Sequence, residues 1–305
     1  MASDPPDNIP LGASLIIATV LAMAFADAVI KYISADFPLW QIFTLRSLAA
    51  VSLLLAIALF ARTDLRPRSL KWSLLRAFLL ALMYIAIYAA APVLALSVIA
   101  ASLYTGPIFV ALLSAWWAGE GVGARRWSAV ALGFAGVLAI VRPAVDAFSP
   151  YALIPVAAGF LYALAAIITR AKCRREQPLA LAVMLNFALL ATGLLATGAL
   201  FALRPLLGDG DAYPFLLGEW ILMGSREWGI IALLAALIVL IGIGLAKAYQ
   251  TAPPTIIATC DYAYLPFAAL WGFVFFGEIP DTPAVIGIAL ITFAGVLVLK
   301  CSRRD

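Results

Sequence analysis

The chain has 305 residues, 65% of them hydrophobic and 12% charged, with a formal net charge of +4. Charged residues make up about a quarter of an ordinary soluble domain, so a soluble globular fold is excluded. Histidine is absent, which removes the Ser-His-Asp triad, the usual general base and most zinc sites at once.

Apolar runs between charged or Pro/Gly-rich breaks predict ten spans. In chain order they cover 12–34, 38–61, 71–91, 94–117, 125–141, 151–170, 178–203, 227–250, 254–276 and 283–300. The opening MASDPPDNIP carries no Lys or Arg, unlike a signal peptide, so the first span is expected to be retained as a helix. The longest connection, Arg204 to Arg226, is polar and bears a tryptophan, which suits a segment lying along the interface. Short turns elsewhere make neighbouring helices antiparallel. Trp40, Trp72, Trp127, Trp220 and Trp228 fall near predicted interfaces and read as belt residues. Pro92, Pro253 and Pro254 mark the turns before the fourth and ninth spans.

Lys and Arg set the orientation. Arg62, Arg66, Arg68, Lys71, Arg76, Arg125, Arg126, Arg170, Lys172, Arg174 and Arg175 gather at one side, with Lys247, Lys300, Arg303 and Arg304. Lys31, Arg142, Arg204 and Arg226 are the few on the other. Both termini are therefore expected in the cytoplasm, in a bacterial inner membrane.

A pattern recurs about half the chain apart. GPIFVALLSAWWAGE from Gly106 to Glu120, then FAGVLAIV from Phe134 to Val141, is answered by LPFAALWGFVFFGE from Leu265 to Glu278 and FAGVLVLK from Phe293 to Lys300. Five spans per half is an odd number, so the halves are predicted to be inverted repeats, 12–141 and 151–300. The fold class is an all-α polytopic membrane protein of ten helices. Inverted halves let one fold exchange inward- and outward-open shapes, which favours a carrier.

Two proline-led helices ending in Gly-Glu, each followed by an AGV helix, resemble the EamA-type domain of the drug/metabolite transporter superfamily. Pro38 with Arg46, and Pro178 with Asn186, agree at the start of each second helix. The resemblance covers roughly residues 12–300. It implies ten helices, inverted repeats and export of small metabolites, and the chain looks most like the exporters of amino acids, aromatic ones among them.

Ionisable groups inside spans are costly and face a cavity or each other. Asp27 and Lys31 stand four apart and can pair along a helix face, or Lys31 can snorkel outward. Arg46 lies about 12 Å from its helix end and needs a partner, with Asp27 and Asp36 as candidates and a structural pair favoured over substrate contact. Asp261 is either neutralised by Lys247 or faces the cavity to bind an ammonium or a proton. Asp27 and Arg46 are the candidate coupling or structural charges.

Tyr84 and Tyr88 form a stripe on the third span, and Tyr104, Tyr162, Tyr249 and Tyr262 fall deep in other spans. Tyrosines offer a ring face and a hydroxyl, which suits a zwitterion with an apolar or aromatic side chain. Together with Asp261 they are the candidate substrate contacts; plain helix packing is the competing reading. Pro107 and Pro266 are expected to free the carbonyls of Leu103 and Tyr262. Gly133, Gly136, Gly287 and Gly295 suit close helix packing or a dimer surface, and Glu120 and Glu278 read as structural caps. Gly242 and Gly244 sit in an apolar helix and read as packing residues, and the three scattered cysteines as reduced packing or surface residues.

The expectation is a secondary exporter of small neutral metabolites, amino acids first, working by alternating access. It needs no catalytic residue, metal, cofactor or nucleic acid, and works in the bilayer as a monomer or homodimer. A broad exporter of drugs or hydrophobic amines is the alternative within transport. A membrane enzyme on a lipid-linked substrate is the rival class, and it lacks its usual motifs here.

Overall fold

The computed structural model describes residues 7–33, 37–90, 103–116, 123–141, 151, 153–207, 214–277 and 282–302. Lipid offers no partner to a backbone N–H or C=O, so spans close their hydrogen bonds internally as helices. In the first half these are α1 (Ile9–Ile33), α2 (Leu39–Phe60), α3 (Leu70–Ala90), α4 (Gly106–Trp116) and α5 (Ala124–Val141). The second half holds α6 (Leu153–Lys172), α7 (Pro178–Leu207), the short α8 (Pro214–Leu217), α9 (Ser225–Thr251), α10 (Pro254–Asp261), α11 (Tyr264–Phe276) and α12 (Thr282–Ser302). Among the described residues, seven helical segments are long and apolar enough to cross a membrane, and three shorter apolar ones accompany them. Large apolar side chains such as Phe60, Leu195 and Phe201 stand exposed, as a lipid-facing surface requires.

Helix limits follow local chemistry. Pro178 opens α7 and Pro254 opens α10, where a missing N–H costs nothing. Ala252 and Pro253 are extended, so the two prolines do form the turn before the ninth span. Gly277 ends α11 in the left-handed region, φ 67, its N–H returning to the Phe273 carbonyl at 2.9 Å. The ninth span departs from expectation by breaking into α10 and α11 around Tyr262 and Ala263. Glu120, Glu278 and Asp36, and the side chains of Lys31 and Tyr88, lie outside the described residues.

Packing pairs the halves in a reciprocal way. α1 packs on α9 as α6 packs on α3; α2 on α9 as α7 on α3; α1 on α10 and α11 as α6 on α4. The pairs α2–α7, α4–α10 and α5–α12 are their own counterparts. Exchanging the halves therefore maps these pairs onto one another, while among the described residues the contact of α7 with α9 has no comparable counterpart between α2 and α3.

Glycines permit the closest of these approaches. A Cβ on Gly136 would sit 2.7 Å from the Gly287 carbonyl oxygen, so α5 and α12 meet backbone to backbone. One on Gly244 would lie 2.2 Å from the Thr19 hydroxyl, and Gly242 faces Ala182, as expected of packing residues. Cys173 and Cys260 are free and buried.

At the end of the bundle carrying the start of α1, polar ties hold the connections. Asp7 pairs with Arg170 at 2.8 Å and also with Arg174. Gln250 donates to the carbonyls of Cys173 (2.7 Å) and Glu176 (2.9 Å). The Glu176 carboxylate accepts from the backbone N–H groups of Arg68 (2.8 Å) and Ser69 (2.7 Å), at the positive end of α3. At the other end Gln41 both donates to the Ile221 carbonyl (2.8 Å) and accepts from its N–H (3.0 Å). Trp40 is not a plain belt residue, because its indole donates to the Leu216 carbonyl at 2.8 Å and pins α8. Trp220 and Trp228 are exposed, as a belt would have them.

Gly136→Ala is expected to lower stability by about 1–3 kcal/mol, since backbone atoms must give way. Gly229→Ala, where a Cβ meets nothing within 4 Å, should be neutral or slightly stabilising. Thermal melting of the two purified variants in one detergent checks this, and equal melting temperatures contradict it.

Candidate functional site

The break in the ninth span sets the geometry. Pro266 has no N–H and cannot sustain an α-helix through its first turn. The chain responds by tightening: the Ala263 N–H donates to the Cys260 carbonyl (3.0 Å) and the Leu265 N–H to the Tyr262 carbonyl (3.1 Å). The Tyr262 carbonyl is thus not freed as the proline rule predicts, because a shorter turn recaptures it. At the matching place before Pro107, the Thr105 carbonyl accepts from Ile108 at 3.0 Å and Phe109 at 3.3 Å. The Leu103 carbonyl lies against Gly159 of α6, where a Cβ would come within 2.8 Å of it.

Asp261 ends α10 and is 5% exposed. Tyr162 of α6 donates to its Oδ2 at 2.8 Å, and Tyr249 of α9 donates to the Tyr162 hydroxyl at 3.4 Å. The two rings meet edge to face at 6.2 Å. The second carboxylate oxygen, Oδ1, is buried and has no protein partner. Lys247 does not neutralise it: that side chain is exposed on α9, while Asp261 turns inward to the tyrosines.

Asp27 takes its hydrogen bond from across the molecule, from the Tyr264 hydroxyl at the start of α11, at 2.7 Å. It lines a cavity of about 20 Å³ with Arg46, Tyr84, Met23, Ile30 and Leu234. That volume admits about one water, so a substrate needs the site to open. Arg46 is 3% exposed, and its guanidinium lies 5.2 Å from the centre of the Phe43 ring. Its Nε and Nη2 have no hydrogen-bond partner in the protein, and no ion pair joins it to Asp27. Of the two carboxylates expected as structural partners of Arg46, Asp27 shares a cavity with it without an ion pair, and Asp36 lies outside the described residues.

The remaining tyrosines form a packed group. The Tyr104 ring lies 6.3 Å from Tyr262 and 5.5 Å from Tyr264. Tyr262 is fully buried, with Gly133 of α5 pressed against its ring. Of the tyrosines expected to meet substrate, Tyr84 faces the Asp27–Arg46 cavity, Tyr162 and Tyr249 surround Asp261, and Tyr104 and Tyr262 pack behind the break. Sequence reading missed Tyr264 as the donor to Asp27, and its position two residues before Pro266 was the available signal. It also counted Arg76 as a charge at a helix end. Arg76 is instead 2% exposed and donates through Nε to the Thr169 hydroxyl at 2.7 Å.

A polytopic helical bundle with reciprocal halves, and buried charges facing a cavity where those halves meet, is a small-molecule transporter in architecture. Residues 10–142 match the EamA-like transporter family. The chain is 27% identical over 303 residues to a riboflavin transporter of Vibrio cholerae, covering 96% of each. It is 24% identical to a pseudopaline exporter of Pseudomonas aeruginosa, covering 97% of this chain and 99% of the relative. An S-adenosylmethionine uptake transporter of Rickettsia prowazekii is 23% identical over 65% of this chain and 61% of its own length. One solved crystal structure superposes with a TM-score of 0.75 at 16% identity, over 97% of this chain and 98% of the other, a likeness of fold. The first half of the chain thus matches a transporter family, and the relatives that align over nearly the whole chain are named as transporters.

A double-mutant cycle tests the bond between α1 and α11. Asp27→Asn and Tyr264→Phe should be non-additive in stability, with a coupling energy of about 1–3 kcal/mol. Unfolding in detergent measures it, and strict additivity contradicts the bond.

Proposed function

We propose that the protein is a secondary carrier that exports small neutral metabolites, amino acids first and aromatic ones included, by alternating access between halves 12–141 and 151–300. The observation that carries this is the placement of two buried carboxylates on tyrosine hydroxyls of other helices, Asp27 on Tyr264 from the other half of the chain and Asp261 on Tyr162 from within its own half. Tyr264 reaches from α11 to α1, and Tyr162 from α6 to α10. A rearrangement that slides the broken ninth span against α1 and α6 changes both bonds together, which is what coupling needs. The ring faces of Tyr84, Tyr162 and Tyr249 suit an aromatic or apolar side chain, and the carboxylates suit an ammonium or a proton. The asymmetry of Lys and Arg supports an inner-membrane location with both termini in the cytoplasm.

A second reading has an observation of its own: the relative from Vibrio cholerae that aligns over nearly all of both chains is named a riboflavin transporter. A planar ring system of that kind also suits tyrosine faces.

Counterflow into liposomes holding the purified protein separates the readings. Phenylalanine and tryptophan should exchange and riboflavin should not; exchange of riboflavin alone transfers the conclusion to the second reading. In the same liposomes across a pH gradient, Asp27→Asn or Asp261→Asn should abolish the response to pH. If neither variant alters that response, these carboxylates are not the coupling groups.

A further inference from the structure

Arg46 is a full positive charge set in an apolar wall with nothing in the protein to accept from two of its nitrogens. We propose that Arg46 is the anion-binding subsite of the transport cavity, and that it takes a carboxylate of the substrate. The inference rests on the transport reading above and deepens it by naming one chemical group on the cargo.

The geometry selects the ligand. Nε and Nη2, the two atoms without a protein acceptor, form one straight edge of the guanidinium, with parallel N–H bonds. A carboxylate presents two oxygens at the matching spacing, so the pair closes bidentately. Phe43 covers one face of the guanidinium, which stabilises the charge but offers no lone pair. Asp27, the acid in the same cavity, is held by Tyr264 and makes no ion pair with Arg46. Burying an ion without a counter-ion is among the most costly things a protein interior can do, and the missing partner is anionic and planar.

Charge balance narrows the class. The cavity holds one guanidinium and one carboxylate, with Met23, Ile30, Leu234 and Ile241 making much of the rest. A zwitterion keeps it neutral, its acid on Arg46 and its cationic end toward Asp27. A phosphate dianion leaves surplus negative charge beside Asp27. A carboxylate is therefore favoured over a phosphate of the same body.

Binding to the full-length protein in detergent tests this without requiring transport. The probes are phenylalanine, phenylalaninamide, 3-phenylpropionate and phenyl phosphate, applied to wild type, Arg46→Gln and Arg46→Lys. Wild type should bind phenylalanine at least tenfold tighter than its amide, and 3-phenylpropionate tighter than phenyl phosphate. Arg46→Gln should erase the preference for the acid while leaving amide affinity unchanged. Arg46→Lys, which keeps the charge and loses the fork, should retain part of it and serves if the glutamine variant does not fold. Equal binding of acid and amide by wild type, absence of binding by either carboxylate, tighter binding of phenyl phosphate, or an equal loss for all probes in the variants would each overturn the assignment. Arg46-dependent binding without counterflow in liposomes keeps the subsite and removes the carrier reading. Counterflow that ignores Arg46 does the reverse.

Discussion

Hydrocarbon accepts and donates no hydrogen bonds, so every polar atom within these spans must be answered by protein or hidden in a wet cavity. The architecture around the ninth span follows from that single demand. Pro266 forbids a continuous helix, and the backbone recovers most of its bonding through tighter turns. The break then needs cover: α5 brings Gly133 against the Tyr262 ring, and α4 and α6 pack on α10. Once covered, it becomes the place where a carboxylate can be carried deep into the bundle. Asp261 sits there because the Tyr162 hydroxyl of α6 donates to it, backed in turn by the Tyr249 hydroxyl of α9.

The frame is reciprocal and the chemistry set on it is not. Arg46 and Asn186 occupy equivalent places eight residues after Pro38 and Pro178. Asn186 is fully buried and turns its amide back to the Ala182 carbonyl at 2.9 Å, within its own helix. Arg46 cannot satisfy itself that way, because a guanidinium needs several acceptors and its helix has none to spare. The first half thus presents a charge where the second presents a neutral amide, its NH2 bonded within the helix and its Oδ1 buried without a partner. In the carrier proposed above, equal frames would move together while unequal side chains would decide what is gripped.

Much of the fold was legible because its signal is coarse. Spans bounded by charge and proline came out within a few residues of the helices, save for the split ninth span and the start of the fourth, which falls in 91–102 outside the described residues, since hydropathy and helix-breaking chemistry both act locally. Glycine spacing on α5 and α12 identified a close contact for the same reason. The site was less legible. Several tyrosines had the right depth, and periodicity does not tell which hydroxyl reaches Asp27 across the bundle. The proline rule misled at Tyr262 because it assumes that neighbouring turns stay α-helical. The burial of Arg76 was not legible either, because nothing local shows that another helix, α6, covers the start of α3. Gln41 and Trp40 bind a segment far away in sequence, and no local pattern announces such a meeting.

Glu176 carries a consequence of a different kind. It holds the beginning of α3 through the backbone N–H groups of Arg68 and Ser69, not through their side chains. Substitution at either of those positions leaves the bond intact unless proline is introduced, which removes the N–H. The acid has no such latitude, since shortening it to Asp withdraws both oxygens by a methylene. Across a lineage the anchoring residue should therefore stay fixed while the two residues it grasps drift freely.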